Sequence, residues 1–414
     1  MKMKYFLVVA LCFYSLNLFA DGLSAPFDFE DTAMLPKGVR TVKLRSFTSE
    51  VVEKFDRNGS VQPLGKPFEK REKMLRLFEG KSANEVAISK GYMRSLGIDP
   101  DSADLGTIEG YAAARVTATV PVLGWGIRDN WSVAIAIPIV YTNTYVDTGF
   151  NASSDAQKLF GYLNTDGGQS TTKTVEAKTQ DAANAKVLSM GYDPLVGETR
   201  TEIGDVRLIN KLLVQKTDVY AVAVKQSVTV PTGKQGSTNK IVVIGTGDSQ
   251  WDLSASVIGD WYINAKWTMS GYTGYTVQFS DTTQKRIPSA SDSSLGKLDA
   301  NTERDLGDIA NAGVSLRYSV SPAWTLATSL DAQIKYSDIY HGSLYQPHQY
   351  DWLSANTNQQ MESMVVGVNY STVPAFRKKE FAVPMDVKGS YSRVLSGKNV
   401  PADDIVSGEL AIYF

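Results

Sequence analysis

From residue 39 onward, apolar and polar side chains alternate with a period of two, and turn residues break the alternation into segments. In a strand, successive side chains point to opposite faces. Segments of about ten residues with one apolar face are long enough to cross a hydrocarbon core at a tilt. Twelve such segments are predicted: 39–48, 111–123, 131–142, 205–215, 218–231, 250–259, 263–277, 310–320, 324–336, 362–371, 381–394 and 405–414. Segment 111–123 carries Ala112, Ala114, Val116, Ala118, Val120 and Val122 on one face, against Arg115, Thr117 and Thr119 on the other. Its apolar face is expected to meet lipid.

The connections sort by parity. Those after even-numbered strands are short, whereas those after odd-numbered strands span 49–110, 143–204, 232–249, 278–309, 337–361 and 395–404. Short turns on one rim and long loops on the other are how outer-membrane barrels are built, and an even strand count returns the C-terminus to its starting side. In hydrocarbon every backbone amide needs an internal partner, which a sheet closed on itself provides. The expected fold is therefore all-β: a transmembrane antiparallel barrel of about twelve strands over residues 39–414, with two long, partly helical loops. Helix-like stretches fall at 66–96 and 171–190. They fit either a lid over the mouth or a surface cap, and 21–38 fits either a periplasmic segment or a small plug.

The N-terminus reads as a signal peptide over 1–20. Lys2 and Lys4 precede an apolar run from Tyr5 to Leu16, and Leu18-Phe19-Ala20 precede Asp21. Cys12, the only cysteine, lies inside that run, so an exported chain would have neither disulfides nor thiolate-held metals. The balance of 42 Lys+Arg against 44 Asp+Glu excludes the concentrated basic face of a nucleic-acid binder. A mean hydropathy of −0.18 excludes a polytopic helical membrane protein. Trp131, Trp251, Trp261 and Trp324 are expected near the periplasmic strand ends as an interfacial girdle. Phe414 is expected to be the C-terminal signal read by the outer-membrane barrel-assembly machinery. The other expected partners are the lipid bilayer and a small-molecule solute.

Parity places Lys43, Arg45, Arg115, Arg207, Lys211, Lys225, Lys266, Arg317, Lys335 and Lys388 toward the lumen, but only Asp252, Asp331, Asp386 and Glu409 among the acids. Ten bases facing four acids would give a positive tube that guides anionic solutes, or a ladder of paired charges that stiffens the wall. Catalytic chemistry is sparse. The two histidines, His341 and His348, share one loop, and neither G-x-S-x-G, a P-loop nor H-E-x-x-H occurs. An outer-membrane hydrolase would need a histidine beside an activated serine, and HGSLY at 341–345 does not supply a recognisable arrangement. No enzyme and no cofactor are expected.

Residues 204–233 read GDVRLINKLLVQKTDVYAVAVKQSVTVPTG. The strand start Gly204-Asp205-Val206, Lys211, and the close Pro231-Thr232-Gly233 resemble the outer-membrane family named for the meta-pathway of phenol degradation, itself loosely akin to long-chain fatty acid transporters. Gly245, Gly247, Trp251 and Asp252, Pro138 in DNWSVAIAIPIVY, and SPAWTL at 321–326 are similar too. The resemblance covers roughly residues 110–340 and implies a pore or transporter for hydrophobic or aromatic compounds. The reading is a passive uptake pore for small hydrophobic or aromatic solutes, anionic ones included. The alternative is a plugged structural barrel that binds a partner through its long loops.

Overall fold

The computed structural model describes residues 29–414 apart from 67–68, 79, 164–168 and 292–294, together with 16–17 and 23. The expected leader lies outside the described residues except for Leu16 and Asn17, which pair in parallel with Val242 and Val243.

Twelve staves form one antiparallel sheet that closes on itself. They are β1 (Arg40–Val51), β2 (Asp104–Arg128), β3 (Trp131–Ala136 and Ile139–Ala152), β4 (Glu198–Ile203 and Val206–Lys216), β5 (Tyr220–Val230) and β6 (Asp252–Tyr262). The circuit continues through β7 (Trp267–Gln278), β8 (Ile309–Ser319), β9 (Trp324–Lys335), β10 (Gln359–Ser371), β11 (Met385–Lys398) and β12 (Asp404–Tyr413). Closure is made by β1, which pairs with β2 on one edge and β12 on the other. At the seam the Arg40 amide donates to the Phe414 carbonyl at 2.8 Å, and Phe414 returns the bond at 3.0 Å. The closed circuit thus leaves neither β1 nor β12 with an open edge among the described residues.

One rim carries Arg40, Phe414 and the short connections. The other carries the loops. The outer wall exposes Val42, Leu44, Leu208, Leu212, Val257, Val314, Leu326, Leu330, Val366, Val387, Leu410 and Ile412. A continuous apolar belt of this kind is stable only against lipid. At the turn rim it is bordered by aromatic rings. Trp267 packs on Tyr318 at 4.6 Å between centroids, and Trp324 on Tyr370 at 4.8 Å.

The two longest connections are shorter than the alternation suggests, 52–103 and 153–197, because β2 and β3 continue well beyond the neighbouring staves. Their extra pairs run from Gly106↔Ala152 down to Arg115↔Asn143. The inward face of this extension is apolar and is covered by helices α1 (Ala83–Ser95), α2 (Ser154–Leu163) and α3 (Gln169–Ser189). Leu105, Ile108, Ala112 and Ala114 share one buried core with Ala156 and Phe160 of α2 and Ala183 and Val187 of α3. Both helical pairs are four residues apart, one turn on the same face. Helix α1 starts at a reciprocal capping box between Ser82 and Glu85. The loops thus fold inward as a cap.

Arg286 fastens that cap. Its guanidinium donates to the carbonyls of Met190 at 2.9 Å and Thr238 at 2.7 Å and to Asn239 Oδ1 at 2.9 Å. It also stacks over the Tyr192 ring at 4.0 Å. One side chain therefore ties together three separate loops.

Candidate functional site

Between cap and turn rim lies a cavity of 1460 Å³. Its walls are chemically unequal. The inward faces of β2 and β3 form an apolar strip of Val116, Ala118, Val120, Val122, Ala134, Ala136 and Val140. On one flank stand Lys43 and Arg45 of β1 and Lys388 of β11. On the other stand Arg207 and Lys211 of β4 and Lys225 of β5. Glu409, with its side chain only 4% exposed, gathers the first flank: it pairs with Arg45, with Lys43 at 3.7 Å and with Lys388 at 3.5 Å. Arg207 differs. It lines the cavity and has no ion pair or hydrogen bond from its side chain among the described residues.

The chain's own N-terminal segment enters from the turn rim. The Gly38 amide donates to Gly126 O at 2.8 Å, and Gly126 N donates to Val39 O at 2.9 Å. Pro36 lies so close to the wall here that a Cβ on Gly126 would collide with its carbonyl. Farther in, the Leu35 amide donates to Ser132 Oγ at 3.1 Å, and Thr32 donates from N and Oγ1 to Asp260 at 3.2 and 2.8 Å. Asp31 pairs with Arg317 at 2.7 Å and Lys211 at 3.6 Å, and Glu30 pairs with Lys225. Burial pushes the Asp31 carboxyl up. Lys211, Arg317 and Lys388, with the Ala33 amide, more than offset this and hold it below its ordinary value.

A second insertion comes from the connection 231–251, whose residues 244–248 reach the cavity. Thr232 Oγ1 donates to Gly204 O at 2.8 Å and accepts from the Val206 amide at 2.9 Å. Asp205 accepts from the amides of Gly233 at 2.8 Å and Asp248 at 3.3 Å. Gly247 passes so near this carboxylate that a Cβ there would clash with it. The residues that carry the family resemblance, Gly204-Asp205-Val206, Pro231-Thr232-Gly233 and Gly245/Gly247, are therefore one fastening. They pin an inturned loop to the wall where β4 is interrupted.

Several expected lumen residues lie elsewhere. Arg115 faces outward and pairs with Glu50 at 2.6 Å, with both side chains more than half exposed. The register pairs Ser49 with Val116, so the apolar face of β2 is the luminal one and Arg115 belongs to the outer face near the loop rim. Lys266 sits exposed in the turn between β6 and β7, not in the wall. Lys335 is inward but buried at the loop end, paired with Asp338. Asp331 also points inward and accepts from Tyr272 and Ser329, each at 2.7 Å, and Asp252 lines the cavity. Trp131, Trp261 and Trp324 lie at the turn rim. Trp251 immediately precedes β6 at the opposite, loop rim, because the strand runs away from its long connection. Asp260, Glu30 and Asp31 were not expected in the lumen. His341 and His348 are exposed, and His348 stacks on Trp352. No group of three or more metal-ligating side chains occurs among the described residues.

No protein-family model and no curated protein matches the sequence. Among solved structures, the chain is similar to an outer membrane channel from Pseudomonas putida F1, at 11% identity and a TM-score of 0.54. The match covers 94% of this chain and 100% of that one. At this identity the likeness establishes the fold alone. Two toluene transporters align at lower scores that carry no weight. One is TodX of Pseudomonas putida (10% identity, 92% and 90% of the chains, TM-score 0.34). The other is TbuX of Ralstonia pickettii (12%, 96% and 98%, TM-score 0.33).

Proposed function

We propose that this barrel is an outer-membrane pore for passive uptake of small amphipathic solutes that pair an apolar or aromatic body with a carboxylate. The observation that carries this reading is the two-faced cavity, an apolar strip on β2 and β3 flanked on both sides by bases. A sugar pore needs polar hydrogen-bonding walls throughout, and an ion pore gains nothing from a valine-lined strip. An aromatic or short fatty acid gains from both surfaces: its body buries apolar area at about 25 cal/mol per Å², and its charge meets the positive field.

The chain would be exported by residues 1–20, inserted with its turn rim toward the periplasm, and capped outside by 52–103 and 153–197. The exposed Phe414 at the seam suits a signal read by the assembly machinery. No cofactor and no catalytic residue enter the mechanism. Proteoliposome swelling tests it. Benzoate and octanoate should permeate faster than glucose of comparable size, and equal rates for all three would reject the proposed selectivity. A second reading, a closed barrel that binds a partner through its cap, draws on the N-terminal segment inside the lumen. It requires that none of these solutes permeate even after 29–37 are deleted.

A further inference from the structure

Lys211 and Lys225 occupy directly opposite positions in the β4–β5 register, and both point into the lumen. Two like charges facing each other across a strand pair repel, so this wall is unfavourable unless an anion lies between them. Arg317 approaches from β8, held in place by Asp260 at 3.1 Å and by Ser270 Oγ at 2.8 Å. What completes the arrangement is not part of the wall. Asp31 meets Arg317 and Lys211, and Glu30 meets Lys225, both from the segment held on one side at Gly38–Val39 and on the other at Leu23, whose amide donates to Gln359.

We infer that Lys211, Lys225 and Arg317 form a carboxylate-binding site, and that Glu30 and Asp31 are its built-in stand-in ligand. A solute carboxylate takes their place and its apolar body lies along β2 and β3, so binding and plug release are one event. Arg317 keeps its position when the segment leaves, since it retains Asp260 and Ser270, whereas Lys211 and Lys225 give up their contacts to Asp31, Ala33 and Glu30 and are left facing each other. Arg207, inward on the same strand as Lys211 and four residues away, makes no direct ion pair among the described residues, though it stands within the field of Asp205 and Asp252, and leads a solute carboxylate to the occupied site. This inference rests on the uptake reading and names the determinant of its specificity.

The test places a nitroxide on Ala33→Cys in a Cys12→Ala background, at a position that faces the cavity. Label mobility is followed in the purified full chain as sodium benzoate, or benzyl alcohol as its neutral counterpart, is added. Benzoate should mobilise the label and benzyl alcohol should not. In Glu30→Gln/Asp31→Asn the label should be mobile from the start. Benzoate should also bind that variant about tenfold more tightly, as expected if the stand-in occupies the site about nine-tenths of the time. Equal action of the alcohol would overturn the inference, as would benzoate affinity unchanged in the double variant. If benzoate permeates while the label stays fixed, the stand-in idea fails and the uptake reading survives. If benzoate neither binds nor permeates in either form, both fail. The wild-type titration stands even should the double variant fold poorly.

Discussion

The β2–β3 wall and the β11–β12–β1 wall are built from the same alternation yet differ in what they disclose. In β11, β12 and β1 the inward positions hold Lys388, Glu409, Lys43 and Arg45, and the outward ones Val387, Leu410, Val42 and Leu44. Inside and outside can be told apart from composition. In β2 the inward positions are Val116, Ala118, Val120 and Val122, while Pro121 and Leu123 face out. There a period of two establishes a strand but not its sidedness, since the outward face mixes Arg115, Thr117 and Thr119 with Pro121 and Leu123 while the inward face is the more apolar of the two. A wall whose inner side is apolar is also what a pore for amphipathic solutes needs.

The largest effect that would sharpen this contrast is expected at Glu409. Glu409→Gln removes the buried carboxylate that pairs with Arg45, Lys43 and Lys388, and should cost about 3 kcal/mol of barrel stability in denaturant unfolding followed by gel mobility. A loss no larger than that of an exposed substitution would show that these charges are not held as a ladder. On the other wall, Val122→Asn should leave the fold intact and lower the preference for octanoate over acetate about tenfold, from about 1.5 kcal/mol of lost apolar contact; an unchanged preference in flux assays would remove the apolar strip from the mechanism. Arg207→Glu should reduce anion over cation selectivity in planar bilayers about fivefold, in line with roughly 1 kcal/mol for a solvated charge at contact distance. The smallest effect belongs to Arg115→Ala. Its exposed pair with Glu50 contributes under about 1 kcal/mol, and reversal potentials should not move. A shift comparable to that of Arg207→Glu would place Arg115 in the conduction path after all.

Most of the architecture was legible. Long alternating segments and the parity of their connections are direct consequences of a closed sheet with lipid outside, and all twelve staves fall where the alternation places them. Helix α3 was legible from 171–190, whereas α2, hidden in 154–163, was not, because it is short and packs through a small patch of Ala156, Leu159 and Phe160. Parity alone could not locate Arg115, and it carried Lys266 past the end of a strand into a turn. The site itself was half visible. Ten expected inward bases against four acids called for further carboxylates, and the adjacent Glu30 and Asp31, in a segment with no periodicity, were available to supply them. Position within the lumen is a long-range property: Asp31 and Arg317 are separated by 286 positions along the chain.

The attachment at Gly38–Val39 and the burial of Leu23 against Met361, Val394 and Ile405 make residues 29–37 a strap anchored on both sides. Fully extended, a stretch of that length reaches no more than roughly 30 Å, so carboxylates displaced from their bases stay near them at an effective concentration on the order of millimolar. Even a feeble grip then restores closure between visits. Trace amounts of a nutrient would pass almost unnoticed, and the gate would respond to plenty.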